Sequence, residues 1–176
     1  MKKQLFLLIL VLIMGFHQIK AQQTREEAME AISQLIGGKW VAEGKWLDGK
    51  QFKQEIIYEW GLDHNIIKVK TYGYTDQGQR EFGLRNEGIR AWDDKDNAMK
   101  FWEFDIFGGI TTGSCLVDQN QVHYQYEYKI DESYALFRDT WTKIDDDTYR
   151  YRVGIVEDGK WESVLLDTTF KRVIEE

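Results

Sequence analysis

The sequence has no proline, a single cysteine and three histidines in 176 residues. One cysteine excludes an internal disulfide framework and any zinc or iron–sulfur site built on several thiolates. His17 lies in an N-terminal leader, and the remaining His64 and His123 are far apart, without a ligand spacing that a catalytic zinc would need. No metal and no cofactor is therefore expected. The absence of proline is compatible with many laddered strands, because proline cannot donate to a ladder. The chain also lacks a long apolar run. Leu5 to Phe16 is apolar over only twelve residues, short of the ~20 that a membrane-spanning helix requires.

That short run reads as an export signal. Lys2 and Lys3 precede it, and a polar stretch follows that ends at Ala21, the layout of a secretory signal peptide. Residues 1–21 are expected to be a cleaved leader, with Ile19 and Ala21 at the −3 and −1 positions. Residues 22–176 form one domain, and the product is exported, to the periplasm or the outside. Without Lys2, Lys3 and Lys20, the 23 basic residues become 20 against 30 acidic ones, a net charge of −10. Clustered Lys and Arg for a phosphate backbone are missing, so nucleic acid is not an expected partner. Stable membrane insertion is not expected either. A membrane barrel would need an apolar face at bilayer depth, and here one face is repeatedly Lys, Glu or Arg in mid-strand.

What is abundant is aromatic side chains: 7 Trp, 9 Tyr and 9 Phe. One helix precedes them. Thr24 and Glu27 fit a capping box, Ala28, Ile32, Leu35 and Ile36 follow at helical spacing, and Gly37-Gly38 terminate the helix. From Lys39 onward the chain reads as about ten strands joined by short turns such as Asp48-Gly49, Asp76-Gln77-Gly78 and Asp158-Gly159, residues that tolerate tight hairpin geometry. Such a meander leaves two bare edges unless it closes. The expected fold is all-β: a closed, antiparallel, up-and-down barrel with one N-terminal helix. Alternation gives the inner face. Trp40, Ala42, Gly44 and Trp46 share one side of the first strand; Phe52, Ile56, Tyr58 and Trp60 share one side of the second. Tyr124, Tyr126 and Tyr128, and later Tyr149 and Tyr151, do the same.

Gly38-Lys39-Trp40, placed after a short helix and opening the first strand, resembles the Gly-x-Trp signature of the lipocalin and calycin superfamily. In that family the Trp packs at the closed barrel end beneath a basic residue of a late strand, and Arg172 in Thr169-Phe170-Lys171-Arg172 matches that residue in type and position. Phrases such as Tyr58-Glu59-Trp60-Gly61-Leu62 and Asp139-Thr140-Trp141-Thr142 are similar to an uncharacterised group of bacterial lipocalin-like domains. The resemblance implies that Gly38, Trp40 and Arg172 close the barrel and that the lumen takes a small, largely apolar molecule. Haem-holding barrels of similar strand count use a histidine on a late strand, and the last two strands here carry none.

No catalytic set stands out. Cys115 has no identifiable base beside it and reads as a packing residue, and Gly113-Ser114-Cys115 is not a nucleophile elbow. Charges between apolar strand residues are the other candidates: Arg85, Glu87, Arg138, Asp139, Arg152 and Asp167. Singly, each is expected to be an outward ladder partner. As a group they offer an arginine clamp, in which Arg138 or Arg152 would grip a ligand carboxylate with tyrosine help. The expected ligand-binding residues are Trp46, Tyr58, Arg85, Tyr124, Tyr126, Arg138 and Tyr151. Three rivals remain open: a small hydrolase or isomerase using Arg85, Glu87, Asp139 or Asp167; a glycan-binding outer platform; and a fully packed barrel of the cell envelope. Oligomeric state is not legible.

Overall fold

A computed structural model describes residues 23–130 and 132–174; the expected leader, residues 1–21, lies outside them. Helix α1 (Arg25–Ser33) is followed by β1 (Lys39–Lys45), β2 (Gln51–Gly61), β3 (Ile66–Tyr74), β4 (Phe82–Asp93) and β5 (Ala98–Asp105). The second half holds β6 (Ile110–Asp118), β7 (Gln121–Ile130), β8 (Ser133–Asp145), β9 (Thr148–Glu157) and β10 (Lys160–Val173). Each strand pairs antiparallel with its sequence neighbours, and β1 pairs with β10, so the ten strands close into a barrel. Among the described residues, no helix is long and apolar enough to cross a membrane.

The turns form where the sequence supplies residues that accept left-handed backbone. Asp158 and Gly159 sit at φ 49° and 75°, and Asn97 and Gln119 at 48° and 53°. In the longer β3–β4 turn, Asp76 organises the loop by accepting from the backbone N–H groups of Gly78, Arg80 and Glu81. The capping box of α1 is present: Glu27 N–H donates to Thr24 Oγ1, and Thr24 N–H to Glu27 Oε2. The helix is shorter than its apolar spacing predicts. It ends at Ser33, and Leu35 and Ile36 follow in a tighter turn, their N–H groups donating to Ile32 and Ser33 carbonyls three residues back. This turn drops the chain from the helix into β1 and still leaves Leu35 fully buried.

Closure rests on a short seam. Only Lys39, Trp40 and Val41 pair directly with Val173, Arg172 and Lys171. Beyond them, Thr168 Oγ1 donates to the Glu43 carbonyl and Leu47 N–H to the Leu165 carbonyl. The Arg172 guanidinium lies 4.5 Å from the Trp40 ring centroid and donates to the carbonyls of Gln34, Ile36, Gly37 and Asp146. It thereby satisfies carbonyls that the helix end and the β8–β9 turn leave without strand partners. Gly38 is required here: its φ is +103°, and a Cβ would stand 2.9 Å from the Val173 carbonyl oxygen. Trp40 is fully buried and its indole N–H donates to the Leu35 carbonyl at 2.7 Å, so helix, first strand and last strand meet at one ring.

Below that plug the barrel is solid. Trp141 stacks on Phe170 at 4.6 Å between centroids, and Trp40, Tyr149 and Tyr151 meet these rings edge-on or tilted at 5.1–6.1 Å. Offset and edge-to-face contacts of this kind add ~1 kcal/mol each beyond burial. Arg172→Met keeps the stem but removes the donors from four carbonyls. It is expected to lower stability by about 2–4 kcal/mol, read as a shift in the urea midpoint with unchanged slope.

Candidate functional site

The other half of the barrel is hollow. A cavity of ≈370 Å³ opens at the end formed by the β1–β2, β3–β4, β5–β6 and β7–β8 turns. Its walls include Phe52, Ile56, Val69, Phe101 and Val153, and its floor is the ring cluster that begins at Trp141 and Tyr151. Exposed apolar residues surround the mouth, among them Phe82, Phe104, Phe107, Tyr128 and Leu136. Two glycines create space at mid-barrel. On β4, a Cβ at Gly88 would stand 3.0 Å from Arg90 Nη1, and on β6 one at Gly113 would stand 2.7 Å from the Phe101 ring. The side chains of Arg90 and Phe101 occupy the room those glycines leave.

Polar groups gather at the depth of the cavity. Arg90 is 4% exposed. Its guanidinium is paired with the Glu103 carboxylate and lies 5.2 and 4.8 Å from the Phe101 and Tyr124 ring centroids. Burial is the largest single influence and works against its charge, but Glu103 together with the neighbouring Tyr124 and Tyr58 outweighs it and keeps the guanidinium protonated. Asp139, on β8, has a different environment. Tyr126 and Tyr151 each donate a hydroxyl to it, at 3.0 and 2.8 Å, one to each carboxylate oxygen. Burial pushes its pKa up to about 7; the two hydroxyls and the Arg90 charge oppose the rise, and the Glu103 charge adds to it. Three buried polar atoms on the surrounding side chains have no partner: Tyr124 Oη, Asn86 Oδ1 and Arg90 Nε.

Six of the seven expected binding residues line this one cavity: Trp46, Tyr58, Arg85, Tyr124, Tyr126 and Tyr151. Arg138 does not. It lies on the outer face, its guanidinium 5.7 Å from the Trp161 ring centroid, with Nη1 donating to the Gly159 carbonyl. The physical reason is parity. Phe137, Asp139 and Trp141 take the inward positions of β8 and leave Arg138 outside. Arg152 shares that outer site, 5.4 Å from Trp161, so the expected clamp by Arg138 or Arg152 is not in the lumen. The buried arginine at the depth of the cavity is Arg90, which is not among the residues expected from the sequence. Its signal was present: it shares parity with Gly88 and Trp92, as Glu103 does with Met99 and Phe101.

Arg85 reaches the mouth through a bulge. The β3–β4 register steps from Thr71↔Asn86 to Tyr72↔Leu84, leaving Arg85 without a partner. Its guanidinium donates to the Tyr74 carbonyl and lies 5.7 Å from the Phe107 ring centroid. The carboxylates do not assemble into a catalytic group with it. Glu87 is exposed, and Asp167 is bound by Arg150 on the outer face, which holds its pKa below the usual range. Asp139 corrects the expectation of an outward ladder charge, because its parity with Phe137 and Trp141 turns it inward. His123 lies on the outer face, its Nδ1 2.9 Å from Thr140 Oγ1. Cys115 is buried, which pushes its thiol up to about 12 and leaves it a packing residue.

The geometry defines a half-packed, half-hollow ten-stranded barrel with a polar cluster at the base of its cavity. No family model and no curated protein matches the chain. Among solved structures it is similar to the S-type phycobiliprotein lyase CPES from Guillardia theta, at 11% identity and a TM-score of 0.48, over 92% of this chain and 99% of that one. It is also similar to a redesigned β-barrel, at 13% identity and a TM-score of 0.43, over 81% and 95% of the two chains.

The raised pKa of Asp139 has a thermodynamic consequence. An aspartate titrates near 3.9 in an unfolded chain and Asp139 at about 7 in the fold. Between those values the folded protein keeps a proton that the unfolded chain has released. The corresponding stability is fully present below about 3.9 and is lost as pH rises through about 7. Asp139→Asn keeps the shape and removes the titration. Urea melts at about pH 4 and about pH 8 are expected to show the variant losing ~2–4 kcal/mol less than the wild type over that interval.

Proposed function

We propose that the protein is an exported, lipocalin-like carrier or sensor that holds a small, largely apolar molecule in its lumen without transforming it. The observation that supports this reading most directly is the cavity itself. At ≈370 Å³ it falls within the ~300–1,000 Å³ of small-molecule sites, with apolar walls and a few convergent polar groups. Unpartnered buried polar atoms, such as Tyr124 Oη and Asn86 Oδ1, are costly unless something pairs with them. The apolar mouth supports entry of an apolar molecule, and the leader-like residues 1–21 support export. The Gly38–Trp40–Arg172 plug supports the lipocalin-like assignment.

Catalysis is the less supported reading. Asp139 has the perturbed carboxyl group that an acid–base enzyme would need. The groups expected to work with it are dispersed, however: Arg85 is at the rim and Glu87 and Asp167 are outside the barrel. Glu103, which also lines the cavity, is engaged by Arg90, and Asp105 is engaged by the backbone of its own turn.

Native mass spectrometry of protein purified from its host tests for a retained molecule, and tryptophan fluorescence reads titration with small apolar compounds. Gln54 lines the cavity beside Phe52 and Ile56. Gln54→Trp is expected to fill part of it and weaken binding at least about tenfold while the unfolding free energy from urea melts stays within ~1 kcal/mol of wild type. Binding unaffected by that bulk would place the ligand elsewhere.

A further inference from the structure

Charged side chains of both signs line this lumen, Lys53, Arg85 and Arg90 against Glu103, Asp105 and Asp139, but they are partnered unequally: Lys53 pairs with Glu43, and Arg85 lies at the mouth on the Tyr74 carbonyl. Arg90 and Glu103 neutralise each other. Asp139 has no cation within its hydrogen bonds; its partners are the neutral hydroxyls of Tyr126 and Tyr151. Each oxygen of the carboxylate accepts one of these, and a carboxylate has about four acceptor positions. Asp139 also lines the cavity, so its remaining acceptor positions are available from that side. A second unpartnered acceptor, Asn86 Oδ1, lies on the same cavity lining. Tyr58 and Tyr126 line the same cavity.

Resting on the lumen-binding reading, we propose that the lumen selects a small amphiphile with an ammonium head group, and that Asp139 is the counter-ion of that group. A carboxylate head group fits worse. Its charge would join those of Asp139 and Glu103, and the inner arginine is already committed to Glu103. The sequence-based expectation of an arginine clamp on a ligand acid is thereby inverted: the arginine is internally balanced, and the acid belongs to the protein. Burial raises the pKa of Asp139 despite the nearby Arg90 charge, and neither of its hydrogen-bond partners is a cation. A bound ammonium restores the missing partner and favours the ionised form.

Asp139 is hydrogen-bonded by Tyr126 from β7 and Tyr151 from β9 and lies in reach of the charges of Arg90 from β4 and Glu103 from β5; Tyr124 is its register partner on β7, and Tyr58 from β2 lies beside Tyr151. An alkylammonium, like a lysine side chain, stays protonated well above neutrality, so over the acidic range the binding equilibrium follows Asp139. Binding of an amine is therefore expected to weaken as Asp139 takes up its proton, approaching tenfold per pH unit below about 7.

Three probes of nearly equal shape test this: 2-phenylethylamine, 2-phenylethanol and 3-phenylpropionate, titrated into the full mature chain by calorimetry and tryptophan fluorescence. The amine is expected to bind at least about tenfold more tightly than either of the others at about pH 8, and to lose that advantage by about pH 5. Asp139→Asn is expected to cut amine affinity at least about tenfold and change alcohol affinity by less than about threefold. Should that variant fail to fold, the wild-type pH profile carries the test alone. Tighter binding of the alcohol or the acid, or amine affinity that is flat or rises on acidification, overturns the inference and leaves lumen binding in place. Failure of all three probes to bind at ~1 mM, with no molecule retained from the host, overturns both.

Discussion

The closure of the barrel depends on one cation lying on one ring. Arg172 is the last inward residue of β10, and Trp40 is the first inward residue of β1. Their pairing brings the two ends of the meander together and removes its exposed edges. The same guanidinium donates to carbonyls from the segment after α1 and from the β8–β9 turn, so it also anchors the helix over the end of the barrel. Few backbone bonds cross this seam. The side chains carry a share of closure that elsewhere in the sheet falls to the ladder.

Once that end is sealed, ring size decides how far the barrel fills. Trp40, Trp141, Tyr149, Tyr151 and Phe170 pack edge-to-face and stacked. Farther along the axis the inward positions become smaller or polar, with Gly88, Gly113, Thr71 and Thr111 among them. Packing gives way to a cavity at that level. Whether the rings surround each other or a space therefore has two answers in one barrel, separated along its axis.

The polar cluster at the junction is costly to the fold. A carboxyl held near pKa 7 in a barrel interior destabilises its own ionised form, and buried polar atoms without partners lose hydration without recovering it. A barrel selected only for stability would place apolar residues there. Such local conflict between fold and residue type is commonest at functional sites. Here it coincides with the base of an open cavity, whereas the outer Arg150–Asp167 pair is an ordinary solvated ladder contact.

Hairpin turns, capping box and the inner and outer faces were legible in the sequence because each is set by local geometry: residue period, cap chemistry and left-handed turn residues. Trp46, Tyr58, Tyr124, Tyr126 and Tyr151 could be assigned to the lumen on period alone. The same period places Asp139 and Arg90 inside and Arg138 outside, but judging each charge as an isolated surface residue concealed it. The bulge that delivers Arg85 to the rim, the shortened helix and the boundary between packed and hollow halves had no comparable local signal. They arise from how ten strands stagger, twist and fill a shared interior. The sequence by itself determined which residues could face inward. Only tertiary structure decided which of them meet, because partners across a barrel are set by closure and register rather than by separation along the chain. That is why Arg90 found Glu103, and Asp139 found two tyrosine hydroxyls as its hydrogen-bond partners.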